Sequence, residues 1–284
     1  MSLKKIELSK QVELAKLTAI KIGGRAKLLF KAHTIDDLLS VLSDFNSDVY
    51  ILGGGSNLLI SDGLIEKVIL QLGQEFSSIS REKDYLQVGS AVKLSVLINY
   101  CLKNGIAGFE YLAGIPASLG GLLYMNASAF NKSISDNLID LSVVDENGRI
   151  KTLKKSEITF TYRSSSLKNQ IILKARFKLR HEAGIYKKIN LYLKRRISTQ
   201  DFKFPSLGCI FKNPPELKAG KLIDSCGLKG KIKGQAQVSG KHANFIINLG
   251  KANYADVDYL MSLIKDKVYK KYNLLLKEEI IRWT

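Results

Sequence analysis

The chain is short of cysteine, of acidic charge and of long apolar runs, and each shortage removes a class of protein. Only three of its 284 residues are cysteine: Cys101, Cys209 and Cys226. Their spacing suits neither a disulfide framework nor a set of metal ligands. No apolar run approaches the roughly 20 residues needed to span a bilayer. The opening Met-Ser-Leu-Lys-Lys-Ile-Glu has no apolar signal region. The expectation is a reduced, cytoplasmic protein with no metal and no membrane partner. Acidic residues number 26 against 44 Lys+Arg, giving a formal net charge of +18. Such an excess suits nucleic acid, an anionic membrane surface or anionic small molecules. No basic run is interleaved with aromatics as single-strand binders require. The Lys and Arg residues are spread widely, densest at 187–203 and 212–241, and read mainly as a solvated surface. Nucleic acid is not expected as a partner; a basic nucleic-acid binder stands as the rival class, on charge alone.

What is present centres on Tyr50 to Leu59, where an apolar run leads into Gly53-Gly54-Gly55-Ser56-Asn57. Consecutive glycines let backbone N–H groups converge on one anion, with no Cβ to hold it away. A plain glycine-rich turn between strands has the same composition. The stretch lacks the Gly-x-Gly-x-x-Gly fingerprint and precedes no predicted helix, which excludes a Rossmann dinucleotide site. A second unusual stretch runs from Leu112 to Asp136, with small residues at Gly114, Ala117, Ser118, Gly120 and Gly121. These permit close backbone approach to something flat or charged; a buried helix against its neighbours would look similar.

Elsewhere the pattern mixes helices and strands. A basic, amphipathic segment from Ile185 to Ile197 links to a second unit, and helices are predicted from Thr34, over Lys93 to Lys103 and over Ala219 to Cys226. The clearest covers Asn253 to Lys270, with Val257, Leu260, Met261, Ile264 and Val268 on one face. Strands are predicted at Val68 to Leu72, Tyr85 to Val88, Gln170 to Leu179 and His242 to Leu249, with a last one over Leu274 to Trp283. Asp145-Glu146-Asn147-Gly148 marks a hairpin. Without regular βαβ alternation the fold class is α+β.

Five stretches, in this order, resemble the UDP-N-acetylenolpyruvylglucosamine reductases of bacterial peptidoglycan synthesis. They are Thr18-x-x-x-Ile-Gly-Gly, Gly53-Gly-Gly-Ser-Asn-Leu-Leu, Gly114-Ile-Pro-x-x-x-Gly-Gly-x-x-Tyr-Met-Asn-Ala, Tyr162-Arg-x-Ser and Pro205-Ser-x-Gly-Cys-x-Phe-Lys-Asn-Pro. The match continues to the terminal glutamate and is similar to the shorter of two reductase types. The resemblance implies a two-lobed FAD-binding domain of the vanillyl-alcohol-oxidase type followed by an α+β substrate domain. Lobes at 1–75 and 76–182 and a C-terminal domain at 183–284 are expected, the last strand returning near the first lobe.

For the cofactors the resemblance implies FAD and NADPH. FAD would be held by Gly53, Gly54, Gly55, Ser56, Asn57 and Leu58, and by Gly114, Ile115, Pro116, Ser118, Gly120, Gly121, Asn126 and Ala127. The substrate, a UDP-sugar, would meet Tyr162, Arg196, Lys212 and Asn213. Arg163 and Glu279 match the positions that polarise the substrate carboxylate and flank the reacting carbon. Cys209 stands where most members carry the serine that donates a proton. A thiol, at about 8.5 unperturbed, is a stronger acid than an alcohol; a small buried apolar cysteine is the alternative. The sequence departs from the pattern at Arg25 and Glu278, where proline is usual, and at Ile281, where arginine is. Oxidases sharing this flavin domain are the nearest rival; they often tether FAD through histidine, and His33, His181 and His242 lie outside the flavin-loop matches.

Overall fold

The computed structural model describes residues 6–45 and 48–284. The fold is α+β, and its contacts divide the chain into two compact units. The first comprises residues 1–10, 28–54 and 67–194; the second comprises 11–27, 55–66 and 195–284.

The first unit holds two larger sheets. In one, the strand Arg25–Ala32 pairs in parallel with Val68–Leu72, Leu29 opposite Ile69, and Val68–Leu72 pairs in parallel with Val49–Ile51. Helix α1 (Ile35–Phe45) packs on it through Leu38 and Val41. Its start is fixed by reciprocal bonds: Asp37 N donates to Thr34 Oγ1 (3.1 Å) while Asp37 Oδ2 accepts from Thr34 N (3.0 Å). The second sheet is antiparallel, in the order Ile150–Lys154, Leu138–Val144, Ile171–Lys178, Tyr85–Gly89, Ile79–Arg81. The hairpin at 145–148 is formed, with Val144 opposite Ile150. Helices α2 (Leu94–Lys103) and α3 (Leu119–Tyr124) bury Leu94, Leu97, Leu119, Leu122 and Leu123 against this sheet's core. Helix α4 spans Ile185–Thr199.

In the second unit an antiparallel sheet runs Ser206–Cys209, Phe245–Asn248, Ala236–Val238, Ile232–Lys233. Helices α5 (Ala219–Ser225) and α6 (Tyr254–Tyr272) cover its core. Asn253 caps α6, accepting from Asp256 N at 2.8 Å, and Asn273 ends it in the left-handed region at φ 50°. The predicted stripe Val257, Leu260, Met261, Ile264 and Val268 is wholly buried, each side chain contributing roughly 1.5–3 kcal/mol. No helix among the described residues is long and apolar enough to cross a membrane.

The C-terminal segment corrects one expectation. Only Ile281–Trp283 forms a strand, parallel to Leu58–Ile60; residues 274–280 are irregular, apart from a bridge between Glu278 and Phe211. Glu278 and Glu279 therefore do not sit in a continuous strand. The Glu278 carboxylate accepts from Arg282 Nε (2.8 Å) and Nη2 (2.9 Å) and pairs with Lys265. Arg282 also reaches Asp258 (2.5 Å) and Tyr254 Oη (3.0 Å). These bonds tie the chain's last turn to α6. Burial pushes the Glu278 carboxyl up, but the bonds from Arg282 and Lys265 outweigh it and hold it below the ordinary range. A depressed carboxyl stabilises the fold above its unfolded value, about 4.3, and that contribution is lost as pH falls through the folded value. Glu278→Gln should therefore lower the melting temperature at pH 7, and the deficit should close below about pH 4. Thermal unfolding followed by circular dichroism across pH measures this; a constant deficit would contradict the assignment.

Candidate active site

In the first unit, two motifs more than sixty residues apart meet. A Cβ on Gly53 would lie 2.6 Å from Ser118 Oγ, and one on Gly54 would lie 3.0 Å from Ala117 Cα and Ser118 N. Only glycine allows this approach. The facing segment is held by Leu94 N to Ala117 O (2.8 Å), Leu119 N to Val92 O (2.9 Å) and Gly120 N to Ser90 O (2.8 Å). Gly53, Gly54, Gly114, Pro116 and Gly121 are exposed, while Ser118 is buried and Ile115 packs on the core. The stretch divides between core and surface. Leu119, Leu122 and Leu123 turn into the core, and the small residues leave open backbone beside the glycine loop. That surface can receive a flat, anionic group, because no side chain stands between it and the backbone.

Beyond α3, the buried Asn126 has φ 43°. It donates to Thr161 O (3.0 Å) and accepts from Ser135 Oγ (2.9 Å). Ala127 accepts from Ile134 N (2.9 Å). Arg163 and Tyr162 form the two-residue tip of a hairpin whose strands are Phe160–Thr161 and Ser164–Ser165. Arg163 lies over the exposed Tyr162 ring at 5.5 Å, and its Nη1 donates to Ser128 O and Oγ, both at 2.8 Å.

The second unit gathers the other candidates. Gly55 has φ 62°, and a Cβ there would lie 2.1 Å from Leu17 O. Ser56 follows, half-buried, and the buried Leu58 opens the strand Leu58–Ile60. Asn57 Nδ2 donates to Glu279 O (3.0 Å), and Asn57 O accepts from Ile281 N (2.9 Å). Glu279 N donates to Ile210 O and Lys212 N to Lys277 O, both at 2.8 Å. These bonds set Glu279 alongside the segment that carries Cys209 and Lys212. Cys209 is half-buried, opposite Phe245 and beyond a break in register after Ser206; Gly208 at φ 75° makes the turn. Asn213 Oδ1 accepts from Ala219 N (3.0 Å), which starts α5. Arg196, on α4, is buried at 8% exposure.

The other titratable groups differ. Burial, with Glu110 nearby, pushes the Cys101 thiol up to about 12, so it is inert at neutral pH. Burial holds the His242 imidazole below its usual range; its ring contacts Phe245 at 4.6 Å and its Nδ1 accepts from Asn244 N (3.3 Å). Among the described residues no three His, Cys, Asp or Glu side chains are grouped to hold a metal ion. Sequence reasoning passed over Asn244. Buried within an apolar run, it accepts from Phe211 N (3.0 Å) and donates to Phe211 O (2.8 Å), while its carbonyl accepts from Ile210 N (2.9 Å). The signal was available: an amide amid Ala243, Phe245, Ile246 and Ile247 has to satisfy buried bonds.

Residues 26–154 match the FAD binding domain family, and residues 200–283 match the family described as UDP-N-acetylenolpyruvoylglucosamine reductase, C-terminal domain. A UDP-N-acetylenolpyruvoylglucosamine reductase of Rickettsia felis is 39% identical, covering 97% of this chain and 95% of its own. One from Fusobacterium nucleatum is 35% identical, covering 95% and 96%. A solved UDP-N-acetylenolpyruvylglucosamine reductase from Thermus caldophilus superposes with a TM-score of 0.86 at 31% identity, over 99% of both chains. With full-length relatives above 30% identity and the open glycine surface ahead of the reductase domain, this chain belongs to the UDP-N-acetylenolpyruvoylglucosamine reductase family.

Proposed function

We propose that this protein reduces UDP-N-acetylenolpyruvylglucosamine to UDP-N-acetylmuramate, with FAD as bound cofactor and NADPH as reductant. The observation that carries the reading is the contact of Gly53-Gly54 with Ala117-Ser118, which leaves exposed backbone where a flavin nucleotide can lie. When bound, FAD would supply the hydride chemistry between NADPH and the terminal vinyl carbon of the enolpyruvyl group. Gly53 to Leu58, Gly114 to Ser118, Gly120, Gly121, Asn126 and Ala127 would contribute to holding it.

The remaining chemistry falls to the chain's own side chains. Hydride addition drives negative charge through the α-carbon into the substrate carboxylate, so a cation there lowers the barrier. Arg163 takes that role, held by Ser128 and flanked by Tyr162. The α-carbon then needs one proton, donated by the Cys209 thiol. Glu279 flanks the reacting carbon, and the choice of Glu279 over Glu278 is supported by the commitment of Glu278 to Arg282 and Lys265. Lys212, Asn213 and Arg196 would bind the diphosphate and sugar.

Purified protein should be yellow and should release free FAD on acid precipitation; colourless protein that cannot be reconstituted with FAD would end this reading. Arg163→Ala and Glu279→Ala should each slow reoxidation of reduced enzyme by the enolpyruvyl substrate by roughly 10²–10³-fold. Reduction by NADPH should persist in both. Glu278→Ala serves as the control, and a greater loss there than at Glu279 would reassign the carboxylate. Cys209→Ala should also keep NADPH oxidation while steady-state turnover collapses, and Cys209→Ser should retain substantial activity. Near wild-type turnover by Cys209→Ala would remove the thiol from the mechanism.

A further inference from the structure

Backbone strain in the first unit is concentrated. Of eight non-glycine residues with φ between 43° and 60° among the described residues, four are Asn126, Phe130, Asn131 and Arg163. Asn126, Phe130 and Asn131 follow α3, and Arg163 tips the neighbouring hairpin. Phe130 and Asn131 form the two-residue loop between Ser128–Ala129 and Lys132–Ser133. Both positions have positive φ here, as in a type I′ turn, and a bulky aromatic adopts it only under constraint. The constraint is visible. The Phe130 ring lies 4.7 Å from that of Tyr192 on α4, and Asn126 ties the base of the loop to Thr161 O at 3.0 Å. Ser165 Oγ, on the other hairpin, donates to Tyr124 O at 2.7 Å. Two hairpins are thus pinned together, and where they meet Arg163 Nη1 donates to both the carbonyl and the hydroxyl of Ser128.

We propose that Ser128 is a positioning residue for Arg163, its hydroxyl fixing the guanidinium at the place where charge develops during reduction. The proposal rests on the role given to Arg163 above and adds to it a residue that no sequence motif singled out. The guanidinium is planar, with its donors fixed in a fork. Two acceptors on one residue, met by a single Nη1, therefore set the plane of the whole group. The strain nearby acts in the same direction, since sparsely populated conformations persist where the surroundings over-determine them. The carbonyl bond survives any substitution at this position, so the hydroxyl is the separable part.

The test uses the FAD-loaded enzyme, with the two half-reactions followed by rapid mixing. Ser128→Ala should slow flavin reoxidation by the enolpyruvyl substrate about tenfold, the scale of one hydrogen bond to a charged group. Flavin reduction by NADPH should stay within about twofold of wild type, and Ser128→Thr, which keeps the hydroxyl, should recover most of the loss. In an Arg163→Ala background, Ser128→Ala should cost nothing further, because the interaction it removes is already gone. Wild-type reoxidation in Ser128→Ala would overturn the proposal, as would the same tenfold loss persisting without Arg163. Loss of bound flavin in both Ser128 variants would mark a purely structural role and overturn it as well. Failure of the underlying reading shows separately, as unchanged reoxidation in Arg163→Ala alone.

Discussion

Two backbone hydrogen bonds, Glu279 N to Ile210 O and Lys212 N to Lys277 O, decide where the end of this chain lies. They join irregular backbone to the irregular segment that follows the strand Ser206–Cys209, so little local propensity supports them. What supports them is burial. Ile210 and Phe211 have no exposed surface, and Leu276 and Ile280 are nearly as deep. Backbone polar groups at that depth, left unpaired, cost about 1–3 kcal/mol each. Asn244 satisfies the Phe211 peptide with its side chain, and its own carbonyl takes Ile210 N. Asn57 holds the same terminal segment from its other side, at Glu279 O and Ile281 N. These bonds, made from two sides, hold the segment in its register.

A different constraint governs the first unit. There the site is made by tight approach, glycine against small residue, together with hairpins held in left-handed conformations. Both devices depend on the packed sheet beneath. Leu119, Leu122 and Leu123 anchor the segment after Ser118, which allows its outer side to stay bare backbone. A polar, open surface on an apolar base suits a large planar cofactor better than a cleft lined by long side chains, because such chains would lose rotamer freedom on each binding event.

Charge acts at two ranges. Most ion pairs here are exposed, such as Lys27–Glu66 and Lys270–Asp266, and pairs of that kind contribute about 0–1 kcal/mol. The group around Arg282 is different, because one guanidinium joins two carboxylates and a phenol in a partly buried setting. It holds the last turn of the chain, directly beside Glu279. At longer range the excess of 44 basic over 26 acidic residues gives a field that favours anionic ligands. Both proposed substrates, each bearing a diphosphate, are of that kind.

Much of this was legible in the residues. The buried stripe of α6, the hairpin at 145–148 and the glycine loop each follow from rules acting over a few positions, namely helical periodicity, turn chemistry and the missing Cβ. The order of five motifs pointed to the family and to its fold. The exposed strand Glu7–Glu13 left no such trace, since only one of its seven residues is even half-buried and no alternation marks it. Leu274 to Trp283 misled for the opposite reason. Its apolar content suits a strand, but only Ile281–Trp283 finds a partner, at Leu58–Ile60. By itself, then, the sequence determined the local elements and the candidate chemistry. The tertiary structure alone decided that Gly53 meets Ser118, that Arg163 rests on Ser128 and that Glu279 runs beside Cys209. Such contacts join residues far apart in the chain, and no short-range pattern encodes which buried donor will find which acceptor.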